Sequence, residues 1–264
     1  MGLNINGVYI EYQDRGSGIP LLLIHGYPLN STLWQPQFEG LIDVARIITP
    51  DLRGFGGSDP VKGVYTMDLL ASDCKELLDN LGEKQRVVVG GLSMGGYVTL
   101  AFQRLFPERV EAIILAATRS GPDSVEGKAN RDKSVETAIN LGTPAIVDSM
   151  LPKMLSPKTY ATKSDLVQFT RNIMEASSVE GIIGALQGMK DRPDSTPMLT
   201  HIDKPVLILH GADDQLIPAK EAEAMQAAIP NAQLQIFPDA GHLLNLEQSE
   251  LFNKAVEQFL ISLA

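Results

Sequence analysis

Ser93 stands in Gly91-Leu92-Ser93-Met94-Gly95, between the β-branched run Val87-Val88-Val89 and an amphipathic run that begins at Met94. A serine hydroxyl is a poor nucleophile until a base takes its proton and a third group orients that base. Candidates for both partners follow later in the chain. The acidic pair Asp213-Asp214 leaves the run Pro205–Leu209 by way of His210-Gly211-Ala212, and His242 closes the short segment Pro238-Asp239-Ala240-Gly241-His242. Serine, acid and histidine in that order can carry attack on a carbonyl through a covalent acyl intermediate.

The glycines around Ser93 have a steric reading. A residue on a tight strand-to-helix turn is held in a strained backbone conformation, and side chains two positions before and after it would collide there. Gly91 and Gly95 avoid that collision and leave the hydroxyl at the carboxyl end of the strands, where open α/β sheets bind ligands. The pattern is G-x-S-x-G. A phosphate-binding loop is the alternative for a glycine-rich turn of this kind. No Lys-Ser or Lys-Thr follows the last glycine, however, and the G-x-G-x-x-G spacing is missing.

These groups need a scaffold, and the hydrophobic pattern supplies one. Pro20–Ile24, Ala45–Ile48, Arg86–Val89, Val110–Leu115, Pro205–Leu209 and Gln233–Phe237 read as buried strands, with the first strand of the elbow ending at Gly90-Gly91. Helix-period segments at Thr66–Leu81, Met94–Phe106, Pro218–Ile229 and Leu243–Leu260 alternate with them. Such alternation predicts a mostly parallel sheet with helices on both faces. Val8, Ile10 and Tyr12 alternate with polar residues and predict an antiparallel edge hairpin.

The alternation fails between residues 119 and 200, where the chain turns helical with breakers at Gly121-Pro122, Gly142-Thr143-Pro144, Pro152, Pro157, Pro193 and Pro197. The expected division is therefore a core of residues 1–118 and 201–264 with residues 119–200 inserted as a helical lid. Met150, Met154, Met174, Met189 and Met198 lie in the insertion, a flexible apolar surface suited to a pocket.

Composition removes several functions. A formal net charge of -10 opposes a phosphate backbone and makes nucleic acid an unfavourable partner. The single cysteine, Cys74, cannot form an internal disulfide and shares a helical face with Leu70, Leu77, Leu78 and Leu81, so it reads as a core residue. Four scattered histidines do not form a zinc cluster, and Asp51–Ser58 lacks a dense oxygen-ligand set. No metal and no cofactor is expected. No run approaches the length of a membrane span, and the N-terminus has neither a basic head with an apolar core nor a myristoylation pattern. A cytoplasmic chain is the expectation, with the oligomeric state left open.

Taken together, His25-Gly26-Tyr27-Pro28, Asp51-Leu52-Arg53-Gly54-Phe55-Gly56-Gly57-Ser58, the Ser93 turn, the Asp214 loop and Ala240-Gly241-His242 resemble the α/β-hydrolase family over about residues 18–118 and 204–264. The resemblance implies an eight-stranded, mostly parallel sheet with a lid, and a catalytic triad of Ser93, Asp214 and His242. It selects Asp214 over Asp213, and it implies backbone oxyanion donors at Tyr27 and Met94. His25, Gly26, Gly91 and Gly95 then have structural roles at the site, and Asp51–Ser58 is a structural turn. His201 and His210 also read as structural.

Serine at the elbow separates the chain from the dehalogenase and epoxide hydrolase branches, which carry a carboxylate there. The chain is similar to the branch of small carboxylesterases, 3-oxoadipate enol-lactonases and cofactor-free perhydrolases, which implies a small-molecule ester or lactone substrate. Perhydrolysis or lyase chemistry on the same triad, and a non-catalytic receptor on the same fold, are the other classes considered. An anionic lactone would call for a cation by the pocket. Arg119, Arg131 and Arg192 are the available residues, each expected as a solvated surface charge.

Overall fold

The branched aliphatic runs form strands β1 (Gly2–Ile5), β2 (Val8–Gly16), β3 (Ile19–Ile24), β4 (Ala45–Pro50), β5 (Val87–Leu92), β6 (Val110–Ala116), β7 (Val206–Gly211) and β8 (Ala232–Phe237). The computed structural model describes residues 1–263. The strands make one sheet in the order β1-β2-β4-β3-β5-β6-β7-β8. β1 and β2 pair antiparallel, β2 runs antiparallel to β4, and every other pairing is parallel. The predicted edge hairpin is β1-β2, with Val8, Ile10 and Tyr12 on its buried face.

β5 differs from the expected strand in one respect. It continues through Gly90-Gly91 to Leu92, paired with β3 on one side and β6 on the other. Glycine weakens a strand by entropy and by lack of packing, but two parallel neighbours hold this one in place. Ser93 is therefore the first residue past the strand.

The helices are α1 (Gln35–Leu41), α2 (Met67–Asn80), α3 (Met94–Leu105), α4 (Val125–Met154), α5 (Pro157–Thr162), α6 (Ser164–Glu175), α7 (Val179–Lys190), α8 (Lys220–Ala228), α9 (Leu244–Glu247) and α10 (Ser249–Ile261). α2 starts where Thr66 caps it, its side-chain oxygen accepting from the Leu69 amide. Two apolar clusters, one on each face of the sheet, form the core. Cys74 is buried in the first of them, and burial pushes its thiol pKa up.

The single helix expected over Leu243–Leu260 is two helices, interrupted at Gln248, whose backbone leaves the helical region (φ -135°, ψ 55°). The Gln248 side chain donates to the Pro238 carbonyl instead, which ties the break to the loop after β8. Between β6 and β7 the chain forms α4–α7 and no strand. α4 breaks at Gly142, which takes φ 74°, followed two residues later by Pro144.

Of the five methionines in this stretch, Met154 and Met174 are wholly buried in the core and Met198 packs against it. Met150 and Met189 face a cavity described below. The expectation that the five form a pocket surface therefore holds for two of them.

Candidate active site

The β5-α3 turn is built around the backbone of Ser93, which takes φ 57°, ψ -114°. A non-glycine residue pays of order 1–3 kcal/mol for such a conformation, so its surroundings must hold it there. They do so through hydrogen bonds: the Ser93 amide donates to the Ala116 carbonyl at 2.9 Å, and the Ser93 carbonyl accepts from Gly96 N at 2.9 Å and from Thr118 Oγ1 at 2.8 Å. A Cβ on Gly91 would overlap the Gly95 carbonyl, and one on Gly95 would overlap the Ile24 carbonyl. Gly26 leaves the Ser93 side chain its room, since a Cβ there would stand 3.2 Å from Ser93 Cβ.

His242 Nδ1 lies 2.8 Å from Asp214 Oδ2, and both side chains are at most 1% exposed. The carboxylate acceptor requires the imidazole proton on Nδ1, which leaves Nε2 with a lone pair. Asp214 is itself fixed, because Oδ1 accepts from the amides of Leu216 (2.8 Å) and Ile217 (3.0 Å). Burial works to raise the Asp214 pKa. The His242 charge and hydrogen bond, with the Ile217 and Leu216 amides, outweigh it and hold the carboxyl below its ordinary value. Asp213 is exposed and donates its amide to the Ala240 carbonyl.

Ser93 and His242 line one cavity of about 170 Å³ with Tyr27, Tyr97, Arg119, Arg131, Met150, Met189, Leu216 and Ile217. Among the described residues, neither the Tyr27 amide nor the Met94 amide has a hydrogen-bond acceptor in the protein. Met94 is the first residue of α3, where helical amides have no partner of their own. The Tyr27 hydroxyl is also buried without a partner, and burial pushes its pKa up.

His25 has no nitrogen free for proton transfer. Nδ1 lies 2.8 Å from the Gly26 carbonyl and Nε2 accepts from the Leu52 amide at 2.9 Å. Burial lowers its pKa against the pull of Gly26 and Asp51. His210 is buried beneath the acid loop, with Nε2 2.9 Å from the Ile217 carbonyl and 3.6 Å from Asp214 Oδ2. His201, expected as structural, is exposed and touches only its neighbour Thr200 in the hydrogen-bond network. In the Asp51–Ser58 turn, Asp51 accepts from the amides of Ser31 (2.7 Å) and Gly57 (2.8 Å).

The three arginines correct the sequence reading. Arg119, Arg131 and Arg192 are not surface charges: Asp123, buried among them, pairs with all three. Arg192 also stacks over the Tyr97 ring at 4.1 Å. A buried carboxylate draws cations inward because an unpaired charge at low dielectric is costly.

The sequence carried two weak signals for this cluster. Asp123 follows Arg119 by four residues in the loop between β6 and α4, and Tyr97 lies one turn into α3 from Ser93. Glu247 had none. It lies behind the histidine loop, where Oε1 accepts from Gly241 N at 2.8 Å and Oε2 from Ser156 N at 3.0 Å.

A serine at a strained strand-helix turn of a mostly parallel sheet, lining one cavity with an acid-bonded histidine, is the arrangement of the α/β-hydrolase fold. Residues 21–255 match the model of the alpha/beta hydrolase family, and the chain belongs to that family. A thermophilic esterase from Thermogutta terrifontis has a similar structure, with a TM-score of 0.96 and 38% identity over 100% of this chain and 98% of that one. The enol-lactonase from Burkholderia xenovorans LB400 gives a TM-score of 0.92 and 26% identity over 99% and 100%. A non-heme haloperoxidase of Rhodococcus erythropolis is 29% identical over 97% of both chains. No helix among the described residues is long and apolar enough to cross a membrane.

Proposed function

We propose that the protein hydrolyses carboxylic esters through an acyl-enzyme on Ser93. His242 Nε2 takes the Ser93 Oγ proton as Oγ attacks the substrate carbonyl. The oxygen that becomes negative is received by the Tyr27 and Met94 amides, and losing one donor of that kind costs on the order of 3 kcal/mol in other enzymes. His242 then returns the proton to the departing alkoxide, and the acyl group stays on Oγ. A water deprotonated by His242 attacks the acyl carbonyl, releases the acid and restores Ser93. Asp214 holds the imidazole tautomer and stabilises the imidazolium. Residues 119–200 act as the lid, contributing Arg119, Arg131, Met150 and Met189 to the cavity wall.

The observation that carries this reading is the 2.8 Å bond from His242 Nδ1 to a doubly amide-anchored Asp214, at a cavity that Ser93 also lines. The same atoms would open a lactone, with the alkoxide retained on the acyl chain. The resemblance to an enol-lactonase structure favours including lactones in the substrate class. The test is fluorophosphonate labelling mapped by mass spectrometry, run beside a panel of acyl esters and lactones. Labelling at Ser93 with turnover is expected. Absence of both would overturn the reading in favour of a ligand receptor.

A further inference from the structure

Beneath the acid loop lies a histidine that the proposed reaction does not use. His210 is the penultimate residue of β7, and its side chain is wholly buried. Nε2 lies 2.9 Å from the Ile217 carbonyl, which can only accept, so the ring carries its proton on Nε2. Ile217 is thereby held at both ends of its backbone. Its carbonyl accepts from His210, and its amide donates to Asp214 Oδ1 at 3.0 Å.

The acid and histidine loops are also joined without His210. The amides of Ala212 and Asp213 donate to the carbonyls of Phe237 and Ala240 at 2.9 Å each, and a Cβ on Gly211 would overlap the Gly241 carbonyl. These contacts fix where the acid loop leaves the sheet. The amide of Ile217 lies beyond them, and the bond to His210 steadies it there.

Asp214 Oδ2 stands near two imidazoles, with His242 Nδ1 at 2.8 Å and His210 Nε2 at 3.6 Å, the second too long for a hydrogen bond. The two rings are not equivalent. His242 lines the cavity, whereas His210 Nδ1 is buried with no partner in the protein. Protonating His210 would place an N–H there with nothing to accept it, and a second positive charge behind His242. Burial lowers the His210 pKa and the His242 charge acts the same way, against the Ile217 hydrogen bond and the charges of Asp214 and of Glu221 on α8. His210 is therefore a neutral Nε2–H donor while His242 gains and loses its proton.

We propose that His210 is a positioning residue: by fixing the Ile217 carbonyl it holds the Ile217 amide on Asp214, and so keeps the carboxylate on His242 through both protonation states of that ring. The proposal rests on the ester-hydrolase reading and deepens it, since His210 touches neither the cavity nor the nucleophile.

His210→Leu removes the donor at similar volume, and His210→Gln restores an N–H at nearly the reach of Nε2. In His210→Leu, kcat on a neutral ester should fall about tenfold with KM nearly unchanged. The acid limb of kcat/KM should move about one pH unit lower, because a displaced carboxylate favours the imidazolium less. His210→Gln should recover most of both effects. A lower melting temperature with kcat and the acid limb unchanged would overturn the proposal, as would a loss of kcat with the limb unmoved. If His210→Leu does not fold, nitrogen NMR of the wild-type imidazoles decides. A neutral His210 protonated on Nε2 from about pH 5 to 8 is expected, and a proton on Nδ1 or titration alongside His242 would overturn it. The downfield proton of the His242–Asp214 bond needs no turnover. Its loss in His210→Leu and return in His210→Gln would support the positioning role even if wild-type Ser93 neither labels nor turns over esters, a result that removes the hydrolase reading alone. An unchanged signal in an active, labelled enzyme would overturn the positioning role and leave that reading standing.

Discussion

The carboxyl edge of the sheet and the helical insertion meet at one cavity but are held there by different means. On the sheet side, backbone groups fix Ser93, Asp214 and the neighbouring His25, and His242 is held in turn by Asp214. Ser93 is pinned through its own amide and carbonyl, Asp214 through two amides, and His25 between a carbonyl and an amide. On the insertion side the wall is held by side chains reaching one another: Arg131 and Arg192 to Asp123, and Arg192 over Tyr97. Backbone anchoring tolerates little variation, because a changed residue must still satisfy the turn. Side-chain pairing can be rewritten by substitution. The molecule thus sets a backbone-held candidate site against a wall held by side-chain pairs.

That contrast is broken most decisively at Ser93. Ser93→Ala removes the hydroxyl and leaves the glycines and the amide bonds in place, so the fold should survive while ester turnover falls by about a million-fold, as nucleophile loss does elsewhere. Retention of a tenth of the wild-type rate, with an unchanged melting curve, would take the chemistry off the sheet edge. Asp214→Asn is the next largest effect. It keeps the shape but loses the charge that selects the His242 tautomer, a change worth roughly ten-thousand-fold in a serine protease. The neighbouring Asp213→Asn, at an exposed position, should stay within about tenfold of wild type. Comparing kcat/KM for the two variants on one ester decides between adjacent acids.

How much of this was legible in the sequence follows the same division. β5, the turn and α3 were readable because the β-branched run, the glycines and the amphipathic run each act over a few residues. The choice of Asp214 needed the resemblance, since alternation alone could not say which of two adjacent acids faced His242. The arginine cluster was misread because local spacing brings Arg119 and Arg131 near Asp123 but does not show that Asp123 is buried, and the third partner, Arg192, lies 69 residues away. The break at Gln248 was missed for the same reason. The helical period runs through it, and the bond from Gln248 to Pro238 in the preceding loop is a contact that the period does not encode.

Asp123 sharpens the comparison from the insertion side, in stability rather than rate. Burial would raise its pKa, but hydrogen bonds and charge from Arg131 and Arg192 outweigh burial and bring it down to about 2 from an ordinary 3.8. A carboxyl with a depressed folded pKa stabilises the protein above its unfolded value, and that stabilisation is lost as pH falls through the folded one. The difference corresponds to about 2 kcal/mol at neutral pH. Asp123→Asn should therefore unfold more readily at pH 7 by about that amount or more, since it also leaves three guanidiniums without a counter-charge. The gap to wild type should narrow between about pH 4 and pH 2. Urea denaturation at both ends of that range measures it, and a gap independent of pH would mean that Asp123 does not hold the cluster as an anion.

The smallest effect tests whether the two regions are separate at all, because one side chain bridges them. Glu247 accepts from Gly241, next to His242, and from Ser156, between α4 and α5. Beside it the Leu243 amide donates to the Met154 carbonyl at 3.0 Å, and Gln215, next to Asp214, donates to the Leu155 carbonyl at 3.1 Å. The end of α4 is thus tied to both the histidine loop and the acid loop. Glu247→Gln keeps the volume, but its amide must turn an N–H toward either the Gly241 or the Ser156 donor, so one charge-assisted bond becomes a repulsive contact. If Glu247 positions His242, kcat should fall by about tenfold while KM changes less, since the imidazole is displaced from the nucleophile and the cavity wall is kept. If it only fastens the insertion, the melting temperature should fall with kcat unchanged. Ser156→Pro, which removes the donor on the insertion side, separates the arms of the bridge when compared with Ser156→Ala, which loses only the hydroxyl that caps α5. A loss of kcat in Glu247→Gln that Ser156→Pro does not reproduce places the effect in the histidine loop, and equal losses in both make the insertion part of the catalytic positioning.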